Sequence, residues 1–127
     1  MRKSLSSPGL ILLALLATSL AFAAGVENKW RLQFSGGAQS DGRIVLELAP
    51  AEGEPLRATA LIHKGRSENG VARDVSAALQ AQAGKRYNVE VDDGEDVLVK
   101  KHDGERSFVI TIVENSVRGV RIEPDAE

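Results

Sequence analysis

Asn69-Gly70-Val71-Ala72-Arg73-Asp74-Val75-Ser76-Ala77-Ala78-Leu79-Gln80-Ala81-Gln82-Ala83-Gly84, followed by Lys85-Arg86-Tyr87-Asn88-Val89-Glu90-Val91, contains the change of period that decides the fold. In the first part Val71, Val75, Ala78, Leu79 and Gln82 fall along one stripe at helical spacing. In the second, Tyr87, Val89 and Val91 alternate with polar neighbours, the period of a half-buried strand. Asn69 stands where a side chain can cap the first free amides, and Gly84 where a left-handed closing residue is wanted. Lys85 and Arg86 follow, where cations favour the negative helix end. A helix this short is marginal alone in water, so it must dock Val71, Val75 and Leu79 on a sheet, with Gln80 turned to solvent.

Working outward, strand patterns flank this segment on both sides. Before it, Trp30, Leu32 and Phe34 share one face, Ile44, Leu46 and Leu48 form a second run stopped by Pro50, and residues 56–63 a third. In the third run Ala58, Ala60 and Ile62 oppose Arg57, Thr59 and Leu61, and the small residues imply a bulky neighbour. After it, Val97 and Val99, then Phe108, Ile110 and Ile112, then Val120 and Ile122 continue the alternation. Asp93-Gly94, Asp103-Gly104 and Asn115-Ser116 separate these runs and read as turns. The expected fold is α+β and mainly antiparallel: three strands, one helix packed on one sheet face, and a four-strand meander. Residues 26–29 read as a loose lead-in and the tail after Ile122 as frayed.

The first 23 residues differ sharply from the rest. Arg2 and Lys3 open the chain, residues 10–17 are apolar, and Ala21 and Ala23 place small side chains where a signal peptidase reads them. The apolar stretch is too short for a spanning helix, so residues 1–23 are expected to be a secretory leader cut after Ala23. No cysteine follows to carry a lipid, and Arg2-Lys3 lacks the paired arginines of the twin-arginine route. The destination is the periplasm or the medium. Residues 24–127 then form one domain with 14 basic and 18 acidic side chains, a net charge of −4. That charge offers no long-range attraction for nucleic acid or anionic lipid, and no amphipathic helix with a basic face remains for stable membrane insertion.

Candidate chemistry is sparse. The absence of cysteine closes the softer metal sites, and His63 and His102 lie beside charged residues at strand ends. Asp92, Asp93, Glu95 and Asp96 are the one concentrated set of oxygen ligands, but their spacing does not fit a helix-loop-helix calcium loop, and Asp93-Gly94 is explained by a tight turn. No Gly-x-Ser-x-Gly elbow and no phosphate-cradling glycine pattern occurs, and Ser67, Ser76 and Ser107 are accounted for by capping, solvent or strand edge. Trp30, Phe34, Tyr87 and Phe108 sit on the apolar side of their strands, as core residues do and base-stacking platforms do not. No catalytic residue and no cofactor is assigned.

The helix pattern of residues 71–79, with a strand pair before it and Tyr87-Asn88-Val89-Glu90-Val91 and a glycine hairpin after it, resembles a strand-strand-helix-strand-strand module of phage tail, baseplate and bacterial surface proteins. The similarity spans residues 43–113 and implies an interaction role without a catalytic residue. The expected function is a small exported, non-catalytic protein-binding module, such as an inhibitor, chaperone-like or envelope-assembly factor, whose partner is another exported or envelope protein. The alternative is a small periplasmic hydrolase or metal-handling protein with a site built from scattered residues.

Overall fold

A computed structural model describes residues 27–127, and the leader with its cleavage after Ala23 lies outside the described residues. The elements are β1 (Lys29–Ser35), β2 (Gly42–Pro50), β3 (Leu56–Ile62), α1 (Glu68–Ala83), β4 (Tyr87–Asp92), β5 (Asp96–Lys101), β6 (Phe108–Asn115) and β7 (Arg121–Ala126). They form two antiparallel sheets, a four-stranded one in the order β4-β5-β1-β7 and a three-stranded one in the order β3-β2-β6. The fold is α+β with one helix among the described residues.

The two sheets turn their apolar faces toward each other. Trp30, Leu32 and Phe34 of β1 and Val97 and Val99 of β5 join Ile44, Leu46 and Leu48 of β2, Ala58 and Ala60 of β3, and Phe108 and Ile110 of β6 in one core. The Trp30 indole N–H donates to Phe108 O at 2.9 Å, a buried bond from one sheet to the other. Helix α1 packs against β3 of one sheet and β4 of the other, the edge strands on the same side. It therefore spans the gap between the sheets instead of covering one face, and the inward Ala58 and Ala60 of β3 let it approach.

The four-strand meander does not form. Only β4 and β5 make a hairpin in the last third; β6 pairs with β2, and β7 pairs with β1. A meander would have left the apolar faces of β1, β2 and β3 to a single helix. Crossing between the sheets lets each face cover the other. Asp103-Gly104 and Asn115-Ser116 therefore mark crossovers, although as short sequence they look like hairpin turns.

Both termini of the described chain are also tied down. Glu27, expected in a loose lead-in, exchanges two backbone bonds with Phe108, at 2.8 and 2.7 Å. The tail is strand, not frayed: β7 pairs with β1 from Arg121 to Ala126, and Glu127 N donates to Lys29 O at 2.9 Å. Pro124 does not interrupt this strand. By the alternation of the ladder it falls opposite Leu32 in a non-bonded position, where its missing N–H costs no bond to β1.

The helix begins earlier than expected. Ser67, not Asn69, is the N-cap, with extended φ and ψ and its hydroxyl accepting from Gly70 N at 3.1 Å. Val71, Val75 and Leu79 are buried as expected, but the stripe continues through Ala72, Ser76 and Ala83, and Gln82 is exposed. Gln80 does more than face water: its amide donates to Val89 O of β4 at 3.0 Å. Gly84 closes the helix at φ 56°.

Candidate functional site

The acidic hairpin is the most charged feature of the sequence, and tertiary structure brings it a counter-ion. Asp92 and Asp96 pair across the three-residue β4-β5 turn, in which Asp93 and Gly94 take positive φ values, 51° and 80°, and Glu95 N donates to Asp93 O at 2.9 Å. Arg31 of β1 reaches across the outer face of β5. Its Nη1 lies 2.7 Å from Asp96 and 3.1 Å from Asp92, and its Nε lies 2.9 Å from Glu127 at the end of the chain. These hydrogen bonds, to Glu127 above all, hold the guanidinium even further above its ordinary pKa, and the same bond draws the Glu127 carboxyl below its usual range.

This geometry changes what the four acids can do. A cation between Asp92 and Asp96 would have to displace a guanidinium already bonded to both. Asp93 and Glu95 lie in the turn and are absent from the Arg31 network. Among the described residues no group of three or more histidine or acidic side chains is arranged to hold a metal ion. Arg31 carried no signal of its own in the sequence, where it is one polar residue in an alternating strand; only the pairing of β1 with β5 and β7 reveals its role.

The histidines lie apart. His63 follows β3 at the end of the molecule where the β1-β2 and β3-α1 loops meet, with Ala38 N donating to Arg66 O and Gly65 N to Ala38 O, both at 2.8 Å. His102 follows β5 at the opposite end, where its N–H donates to Arg86 O. A shallow depression of about 430 Å³ there is lined by Asn88, Lys100, Lys101, His102 and Asp103. Nearby, Tyr87 packs on Phe108 with ring centroids 4.7 Å apart, and its buried hydroxyl finds no hydrogen-bond partner among the described residues. Burial pushes that hydroxyl above its ordinary pKa. Ser67 caps the helix, Ser107 bonds Asn28, and Ser76, expected in solvent on the helix, is buried and accepts from Gln80. None of the three lies in a nucleophile-base arrangement with a histidine.

The remaining feature is apolar. On the outer face of the three-stranded sheet Leu61 is 71% exposed and Val113 42% exposed. Thr59 and Thr111 lie on the same face, and Val45 between them is nearly covered. Arg43 with Glu114, at 3.0 Å, and Arg57 with Glu47, at 3.1 Å, frame this patch with neutralised charge. The alternation of β3 already placed Leu61 outward with Arg57 and Thr59, and that of β6 placed Val113 opposite Ile110 and Ile112; only the pairing of β6 with β2 brings the two onto one sheet face, with Val113 at the register shift between Val45 and Leu46. Compared with known proteins, the chain matches no family model and no curated relative.

Proposed function

We propose that this protein is an exported, non-catalytic protein-binding module of the periplasm or the medium, acting on another exported or envelope protein. The observation that carries this reading is the outer face of the three-stranded sheet, where Leu61 and Val113 stand in water around Val45. An exposed leucine side chain on a rigid sheet, with its neighbouring charges paired, offers apolar area at little conformational cost. The strand-strand-helix-strand-strand order from β2 to β5 supports the interaction role that the resemblance to tail and surface modules implies. Export rests on the leader pattern of residues 1–23, and the net charge of −4 expected after its removal speaks against nucleic acid as the ligand.

The test combines fractionation with capture. The exported protein should retain one stoichiometric partner from envelope extract, and Leu61→Lys should lose it while keeping the wild-type melting temperature. Retention unchanged by Leu61→Lys, or protein that stays in the cytoplasm with an uncut leader, refutes the reading.

A further inference from the structure

Two antiparallel sheets have four edges, and three of them are managed. Helix α1 packs along β3 and β4, and Gln80 donates to the Val89 carbonyl of β4. β7 carries Pro124 and the alternating charges of Arg121, Glu123 and Asp125, which make an edge unattractive to another strand. β6 has neither protection over most of its length. Its first residue is taken by Glu27, which bonds both the N–H and the C=O of Phe108. Because successive residues of an antiparallel ladder face alternate sides, Ile110 and Ile112 present their backbone groups to that same open side. Among the described residues no group bonds them there.

The sequence of this edge is its own complement. Residues 109–113 read Val-Ile-Thr-Ile-Val, identical in both directions, with no charge, proline or glycine. We propose that β6 pairs antiparallel with β6 of a second copy of this chain, about a two-fold axis at Thr111. In that register Ile110 of one copy exchanges two backbone bonds with Ile112 of the other, and the two-fold repeats them. Val109 meets Val113, and Thr111 meets Thr111 on the outer face, in the closer, non-bonded kind of pair. β-branched residues therefore oppose β-branched residues throughout, and no charge lies within the five paired residues. The bulge of β6 at Val113 sits where the palindrome ends, so the pairing is five residues long. The two three-stranded sheets become one of six strands that ends at both sides in β3, which α1 covers, and the isologous contact closes. This goes beyond the capture of an envelope partner at Leu61 and does not depend on it.

The chain has no cysteine, which allows a direct test. Across a non-bonded antiparallel pair the Cα atoms lie about 4.5 Å apart, within the roughly 4.4–6.8 Å that a disulfide spans. The full chain, purified as the host leaves its N terminus and with its mass recorded, should sediment as a dimer between micromolar and millimolar concentration. Thr111→Cys should oxidise to a disulfide-linked dimer, and Thr59→Cys, also exposed on the same face, should not. Thr111→Lys and Thr111→Glu should each be monomeric with an unchanged circular dichroism spectrum, and an equal mixture of the two should restore the dimer. A wild-type monomer throughout, as when residues upstream of Glu27 or another strand hold the edge, overturns the proposal. So do equal disulfide yields from the two cysteine variants, or a Thr111→Lys protein that still dimerises. Loss of partner capture by Leu61→Lys, with the dimer intact, bears only on the functional reading above.

Discussion

Gly36→Ala should be the most destabilising single-methyl change in the β1-β2 loop, because the loops at that end pack backbone against backbone. Gly36 has φ 83°, and a Cβ placed there would lie 2.1 Å from the carbonyl oxygen of Gly119 in the β6-β7 connection. Alanine in the left-handed region costs about 1–2 kcal/mol. To relieve the overlap the two loops must part by about an ångström. That strains the bond from Gln39 N to Arg118 O and the bond from Gly36 N to the Glu68 carboxylate, both 2.8 Å, each worth about 1 kcal/mol net. The total is roughly 3–4 kcal/mol, a large share of the stability of an ordinary domain. Gly65→Ala is the control. Its φ of 92° is as unfavourable for alanine, but nothing lies within 4 Å of the added methyl, so it should lose only the conformational part, about 1–2 kcal/mol. Urea denaturation followed by tryptophan fluorescence reads both, since Trp30 lies in the core. Equal midpoints for the two variants would show that the loops are not in contact as described.

Leu79→Asp, at a side chain with no exposure, should cost several kcal/mol by leaving a charge among apolar neighbours. Gln80→Ala should cost about 1 kcal/mol through the lost bond to Val89 O, whereas a residue idle in solvent would show no change in urea midpoint. Tyr87→Phe should be neutral or stabilising by up to about 1 kcal/mol, because it removes a buried hydroxyl that has no partner. Since burial raises the folded-state pKa of Tyr87, stability is insensitive to this group below the ordinary tyrosine pKa and falls as pH rises from there through the folded-state value; a phenol absorbance titration should show that tyrosine ionising late. Glu127 behaves in the opposite sense. Its carboxyl is lowered by Arg31, so the hold on β7 is complete above the ordinary carboxylate range and weakens as pH falls through the folded-state value. Carbon-13 titration should move Glu127 back up toward its ordinary range in Arg31→Gln, with Lys29 still 3.8 Å away. Calcium should raise the melting temperature no more than magnesium at equal ionic strength, because Arg31 already bridges Asp92 and Asp96; a several-degree rise specific to calcium would refute that assignment.

What the sequence determined by itself was local. The shift from helical spacing at Val71, Val75 and Leu79 to alternation at Tyr87 and Val89 is a property of neighbouring residues, and it places α1, the strands and the inward side of each strand without knowledge of the rest. The tight turn at Asp93-Gly94 is local too, since both residues must accept positive φ. Tertiary structure alone decided which strands became neighbours. The same Asp-Gly and Asn-Ser pairs serve hairpins and crossovers, and only the need of two apolar faces to cover each other sends β6 to β2 and β7 to β1. Arg31 gained its three carboxylates from that choice, and Pro124 became tolerable in β7 because of the register it produced. The open edge of β6 has the same origin. Alternation tells each residue which face it occupies, but backbone hydrogen bonds run sideways to the next strand, and the identity of that strand is settled by contacts between residues far apart in the chain.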